Sequence, residues 1–578
     1  MAEAKYYFSK SKITMVPPNR WDFVALGLIF CILALIAYGT KQMAVSYHLG
    51  QTIPISLNPI NLPEYALRTV LRMFFALICS LVFTFIFATW AAKSKQAGRI
   101  IIPIIDICQS LPVLGFLSLT IVGFISLFHG SLLGPECAAI FAVFTAQVWN
   151  MALSFYQSLR TVPDELIEAA NMCHLSAWQK FWRVEVPFAM PALLWNTMMS
   201  MSASWFFVVA SEAISVANQQ IYLPGIGSYI YLAIQQANGK AVVYAIVAMF
   251  LVILIYDQIL FRPLVKWAEK FRMDTVVQED SPRNWLIKLF HRSYIFRYVR
   301  EAGDVLSDVL INLPFLNLKS KHKHRQEFNP RLSGTLEIAW NILVFFVVIA
   351  AIIFLLRFIT HYENFTEIIH VFVLGLATAT RVLGVIIFCT IVWVPLGVWI
   401  GLRPRIARIA QPIMQFLAAF PAYLLFPVLV ILIVKFHLNA QIWVTPLMIL
   451  GTQWYVAFNV IAGTLAIPKD LHLVSDNLGI KGWLKWQRLI LPGIFPYYVT
   501  GAITAVGGAW NTSMVVEVVS WGQTTIVTTG LGAYITENSG NYPRIALGMS
   551  VMGLFVLVLN RLLWRPLYEF AERRFRLE

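Results

Sequence analysis

Two carboxylates and a short run of small polar residues are the side chains of this 578-residue sequence best placed to do chemistry. Glu212 and Glu517 each follow a long apolar stretch, 305 residues apart. An ionised carboxylate facing lipid costs roughly 2.5 kcal/mol or more, so each is expected to face protein or water. There it could act as a gate or pathway group near an axis, or pair with an arginine such as Arg72 or Arg381. Just before Glu517 come Trp510, Asn511, Thr512 and Ser513, whose counterparts at the same spacing are Trp205, Phe206, Phe207 and Val208. The tryptophans could line a path or simply pack. The other three make one wall polar where the other is aromatic, an arrangement suited to passing a solute through a membrane; Asp106 and Gln109 are secondary candidates. Enzymatic constellations are missing. His48, His129 and His174 lie in separate segments, the six cysteines lack metal-ligand spacing, and no G-x-x-x-x-G-K-[ST] phosphate loop occurs. No catalytic residue, metal or cofactor is expected in this chain.

The elements that must hold these residues are read from composition. Hydrophobic residues make up 59% of the chain and charged ones only 13%, and the mean hydropathy is positive, which excludes an ordinary water-soluble fold. Stretches such as Phe23 to Tyr38 with its flanks, Phe74 to Trp90 and Ile342 to Phe358 approach or reach the roughly 20 residues that cross a hydrocarbon core of about 30 Å. Backbone groups in lipid must be satisfied within the segment, so these are expected to be helices. The first run is read as an uncleaved anchor. The net charge of +15 does not point to nucleic acid, because the basic residues flank apolar runs: Lys93, Lys95 and Arg99, Arg262 to Arg272, Arg403 to Arg408, and Arg561 to Arg576. Positive-inside placement puts both termini and the central linker in the cytoplasm.

An internal repeat organises the whole. The 305-residue spacing that links the carboxylates also pairs Trp149 with Trp454, Pro163 with Pro468, Pro187 with Pro492, Gly225 with Gly530 and Tyr229 with Tyr534. Upstream the spacing becomes 309, pairing Thr69 with Thr378, Arg72 with Arg381 and Pro112 with Pro421. Each copy carries about six apolar runs, in the first near 22–40, 65–92, 100–128, 136–158, 188–215 and 240–262. An even number returns the chain to its starting side, so the copies are parallel repeats about an axis along the membrane normal. The expected fold is an all-α polytopic membrane protein of about twelve transmembrane helices in two six-helix repeats, 1–272 and 336–578. A cytoplasmic linker, 273–335, joins them. In it Trp285, Leu289, Phe296 and Val299 recur at near-helical spacing among basic residues, as in a surface-lying amphipathic helix.

One polar segment interrupts the apolar pattern in each copy: VPDELIEAANMCHLSAWQKFWRVEVPFAMP from Val162, and IPKDLHLVSDNLGIKGWLKWQRLILPGIFP from Ile467. A proline starts a short helix, a turn residue follows, and a second proline marks re-entry into the membrane. These segments resemble the EAA loop of type I permeases of binding-protein-dependent ABC importers. In the first copy Glu168, Ala169, Ala170 and Pro187 match, with His174 where the family has glycine. The second keeps Gly479, Leu491 and Pro492 but has Leu473, Val474 and Ser475 in place of Glu-Ala-Ala. The stretch from Gly493, with GLGAYI from Gly530 and the first copy's PGIGSYI, is similar to the nitrate, sulfonate and taurine branch of these permeases.

The resemblance implies a permease with two domains fused in one chain, in a bacterial cytoplasmic (inner) membrane. Its coupling loops would dock on two cytoplasmic ABC ATPase subunits carrying ATP and Mg, and an extracytoplasmic solute-binding protein would deliver a small solute, with an oxyanion or sulfonate favoured. The alternatives are a secondary transporter driven by an ion gradient and a non-transporting membrane scaffold, the latter leaving the paired loops unexplained.

Overall fold

The computed structural model describes residues 19–43, 45–47, 53–110, 113–216, 219–261, 263–264, 267, 292–312 and 330–575. Among them, ten helices are long and apolar enough to cross a membrane, and an eleventh span is a bent pair, Pro404–Ala419 and Ala422–Lys435, kinked by 79°. The matching first-copy stretch is divided between Lys95–Ser110 and Val113–Leu127, each too short to span alone. The third of the six expected spans in the second copy is therefore a broken one. At the break in the second copy stands Pro421, which fixes its own φ and disfavours helical backbone at Phe420 before it; Phe420 is indeed extended, with ψ 123°.

Two units follow from the packing: the described residues of 1–41, 161–191 and 257–325 form one, and those of 42–160, 192–256 and 326–578 the other. In the larger unit, Phe365–Gly401, Thr445–Ala466 and Leu491–Val516 build the second copy's core, and Leu62–Phe83 packs along Leu133–Arg160 in the first. Small residues set how closely these helices approach, as expected where lipid removes the usual hydrophobic drive between helices. A Cβ on Gly501 would fall 2.8 Å from Asn459 and one on Gly397 2.8 Å from Val460. The outward faces are apolar: Phe345, Phe346, Val347 and Phe354 are 61–75% exposed, as acyl chains rather than water require.

The helical expectation misses two small elements. Antiparallel hairpins, Ala213–Val216 with Gln219–Tyr222 and Val518–Trp521 with Thr524–Val527, follow Glu212 and Glu517 directly. The second is rich in β-branched residues and turns at Gly522, whose φ of 59° suits glycine. In the linker the helix runs Tyr294–Ile311. Trp285 and Leu289 lie outside the described residues, as do the side chains of Phe296 and Val299.

Candidate functional site

Glu212 and Glu517 lie inside the packed helices. Each is fully buried at the end of its long helix and closes an ionic clasp within its own copy. Glu212 Oε1 accepts from Thr69 Oγ1 at 2.6 Å and from Arg72 Nη1 at 2.7 Å, while Oε2 accepts from the Gly227 amide at 2.6 Å. In the second copy Glu517 Oε1 accepts from Thr378 Oγ1 at 2.8 Å and Arg381 Nη1 at 2.9 Å, and Oε2 from the Gly532 amide at 2.7 Å. The threonine also accepts from a backbone amide, Ile226 onto Thr69 and Leu531 onto Thr378. A buried carboxylate needs this saturation with donors, since an unpaired one would be driven to protonate. Glycine makes it possible: a Cβ on Gly225 or Gly530 would sit 2.3 Å from the carboxyl carbon it covers. Each carboxylate thus makes the arginine pair that the sequence left open to it.

The clasps differ in charge. Arg72 is shared between two carboxylates, with Glu136 taking Nε at 2.6 Å and Nη2 at 2.7 Å in a bidentate pair, and it also donates to the Pro224 carbonyl. At the equivalent place the second copy has Gln441, whose Oε1 accepts from Arg381 and whose amide donates to Thr529 Oγ1 at 3.2 Å. One cation thus faces two anions in the first copy and one in the second. Sequence reading missed Glu136, although the 305 spacing sets it against Gln441.

The pathway candidates separate on inspection. Trp205 and Trp510 are almost wholly buried in helix packing, Trp205 edge-on to Tyr256 with centroids 5.4 Å apart and Trp510 beside Phe555 at 6.4 Å. Ser513 is buried and donates to the Trp510 carbonyl. Asn511 accepts from the Val113 amide at 2.7 Å, a hydrogen bond that ties the two copies together. Thr512 alone of the polar three borders a cavity of about 40 Å³, where it meets Phe206 and Phe207 of the first copy. The expected polar-aromatic juxtaposition therefore narrows to Thr512 against two phenylalanines, because successive residues of a helix point in different directions. Phe420 and Tyr455, which the sequence did not single out, complete the aromatic lining. Gln109 donates to Asn150 at 3.0 Å, and the side chain of Asp106 lies outside the described residues.

The two polar segments have one local design. Pro163 and Pro468 are N-caps with matching backbones, φ −57°, ψ 138° and φ −56°, ψ 138°, opening helices Asp164–Met172 and Lys469–Asn477. The turn after each closes identically. Leu175 donates to the Ala170 carbonyl and His174 to Asn171; Ile480 donates to Ser475 and Gly479 to Asp476. His174 and Gly479 are left-handed, at φ 52° and 66°. That conformation suits glycine and strains a histidine. Ala170 and Ser475 are buried beneath the turn, whereas Glu168 and Ala169, like Leu473 and Val474, are exposed. Pro187 and Pro492, lacking an N–H for the carbonyl four residues back, stand two residues after the ends of single π-helical turns, Phe181–Glu185 and Trp486–Ile490. Leu491 opens the long helix after the second of these.

Beyond the turns the segments diverge. In the first, Ser176 and Gln179 form a capping box, and the linker helix Tyr294–Ile311 lies against the following residues. Trp178 Nε1 donates to the Leu310 carbonyl at 3.3 Å, Gln179 to Asn312 at 2.9 Å and Arg183 to Asp308 at 3.4 Å. In the second, Trp483 and Leu484 are 67% and 48% exposed. Lys485 reaches Asp476 at 2.6 Å, and that hydrogen bond holds the Asp476 carboxyl below the usual carboxylate range.

Among known proteins, the family described as the binding-protein-dependent transport system inner membrane component matches residues 81–262 and again 393–577. The chain is 27% identical over 171 residues to the glycine betaine/carnitine transport permease protein GbuB of Listeria monocytogenes, covering 29% of this chain and 55% of that protein. It is 26% identical over 188 residues to the nitrate import permease protein NrtB of Leptolyngbya laminosa, covering 32% and 64%. A third relative, the glycine betaine transport system permease protein OpuAB of Bacillus subtilis, is 26% identical over 239 residues, covering 41% and 78%. The matched stretches thus span between just over half and about three quarters of these relatives.

Proposed function

The chain belongs to the family of binding-protein-dependent transport system inner membrane components, and from that premise we propose that it is the fused, two-domain permease of an ATP-driven importer of a small solute. Repeats 1–272 and 336–578 form the two halves of one transporter in the bacterial inner membrane, with the linker 273–335 and both termini cytoplasmic. Two ATPase subunits, with their ATP and Mg, dock on the loops begun by Pro163 and Pro468. A binding protein delivers the solute from the opposite side.

The observation that carries this reading is the repeated loop. Each copy has a proline-capped, one-sided short helix ending in the same left-handed turn and joined through a π-helical turn to a membrane helix. In the second, Leu473, Val474 and Leu478 are 51–70% exposed, apolar surface that water disfavours and a protein groove would cover. The loops thus combine a docking face with a direct covalent path into the helices that end at Glu212 and Glu517. An ion-gradient carrier would want buried ionisable groups free to exchange protons or ions. Arg72, Glu136, Glu212, Arg381 and Glu517 are instead all engaged in the clasps.

Co-purification tests the proposal. The chain solubilised from its own cells is expected to bring a nucleotide-binding subunit with it, and Leu473→Glu with Leu478→Glu to abolish that association without shifting the unfolding midpoint of the permease. Wild-type chain that carries no such subunit, and uptake indifferent to Glu168→Ala, would sink it.

A further inference from the structure

The relatives' names span anions and quaternary ammonium compounds, so family membership leaves the solute open. The cavity between the copies is more specific. It lies where the parallel halves meet, the natural place for a passage, and Ala418, Phe420 and Ala422 at the break of the bent helix pair form part of its wall. Irregular backbone at membrane depth is tolerated where it lines a cavity or is buried in protein. At about 40 Å³ it has room for about three waters, taking roughly 10–15 Å³ for each, so this is a closed state.

The wall chemistry favours one sign of charge. Phe206, Phe207, Phe420 and Tyr455 supply four aromatic rings. Ser202 and Thr512 supply hydroxyls, but each donates its hydrogen to its own helix, Ser202 to the Met198 carbonyl at 3.0 Å and Thr512 to the Gly508 carbonyl at 2.8 Å. Their oxygens therefore offer lone pairs to the cavity rather than hydrogens. Among the described residues no lysine, arginine or histidine lines it, and Arg72 and Arg381 are held in the clasps. Apart from the Tyr455 hydroxyl, an oxyanion entering here would exchange its hydration for lone pairs and ring faces, and no cation among the described lining residues would neutralise it. A cation with its charge spread over alkyl groups is weakly hydrated and is attracted by ring faces.

We propose that this cavity is the closed remnant of the solute passage and that it admits small alkylated ammonium compounds in preference to oxyanions. The inference rests on the importer reading for the existence of a passage. It departs from the oxyanion expectation, which rests on motifs from Gly493 onward that mostly lie outside the cavity wall.

The test uses the full chain in lipid nanodiscs and measures saturable binding of radiolabelled tetramethylammonium, with nitrate as competitor and, separately, as ligand. Tetramethylammonium is expected to bind and nitrate not to displace it. Phe206→Leu and Tyr455→Leu are each expected to weaken binding by about fivefold, while Tyr455→Phe keeps the ring and the affinity. Trp195→Leu, on the half-exposed side of the same helix, is expected to change nothing. An unchanged unfolding midpoint identifies variants that fold. Absence of saturable tetramethylammonium binding, tighter binding of nitrate, or indifference to both ring deletions overturns the proposal. Association with an ATPase subunit is scored separately: if it persists while nitrate is the ligand, this inference fails alone, and if it is absent the importer reading fails first.

Discussion

Replacing Glu136 by glutamine gives the first clasp the chemistry that the second already has. In the native first clasp a single guanidinium is buried with two carboxylates, a net buried charge of minus one; Arg381 with Glu517 and Gln441 is neutral. Glu136→Gln removes one of the two charge-assisted hydrogen bonds that Arg72 makes to residue 136, a loss of about 1.5–3 kcal/mol. Against that stands relief of an uncompensated buried charge, whose burial costs several kcal/mol. The exchange is not perfect, because Gln441 donates to the Thr529 hydroxyl whereas the corresponding residue in the first copy, Pro224, offers only its carbonyl. The expected net cost is therefore small, about 1–2 kcal/mol. Glu212→Gln is expected to cost more, since both its oxygens accept and an amide would point donors at the Gly227 N–H or at Arg72. Arg72→Met leaves two buried carboxylates without a cation, a loss of about 3–5 kcal/mol or more. Thermal unfolding of the purified chain at neutral pH ranks the three. Glu136→Gln falling as far as Arg72→Met would refute the claim that the second carboxylate is surplus charge offset by geometry.

Other consequences follow from single distances and angles. Gly530→Ala puts a methyl 2.2 Å from Glu517 Oε2 and should open the second clasp, seen as a loss of expression or a sharply lower midpoint, whereas Gly522→Ala in the hairpin turn, with 3.4 Å to its nearest neighbour, carries only the strain of its positive φ. His174→Gly relieves a left-handed backbone and should stabilise the first loop by about 1 kcal/mol, read as slower hydrogen exchange at the Leu175 amide; faster exchange there would contradict it. Asp308→Arg replaces an exposed pair worth less than about 1 kcal/mol with a repulsive one. The midpoint should hold while exchange across Tyr294–Ile311 and the Trp178 emission change; unaltered Trp178 emission would mean the linker helix is not held there in solution.

Much of this protein is legible without coordinates because membranes constrain sequences severely. Apolar runs long enough to span, basic flanks, and two copies in register follow from the cost of burying charge and unpaired backbone in lipid. The paired prolines and the His174–Gly479 turn are equally local: a proline N-cap and a left-handed residue write their conformation into the chain within a few positions. What no local pattern contains is which side chain meets which across more than a hundred residues. Glu212 and Glu517 are ambiguous in sequence, since a carboxylate after an apolar helix satisfies its hydration equally well at a water-filled passage or against an arginine. Only the approach of Thr69, Arg72 and the Gly225–Gly227 backbone, brought together by helix packing, selects the clasp. The same holds for the passage. Spacing set Asn511, Thr512 and Ser513 against Phe206, Phe207 and Val208, but the rotation of the helix about its own axis decides that Thr512 faces the cavity while Asn511 binds Val113 and Ser513 turns into the core. Sequence determined the elements and their repetition because those depend on neighbours along the chain. Tertiary structure decided the roles of the polar residues because a buried polar group is defined by its partner, and the partners here are distant in sequence.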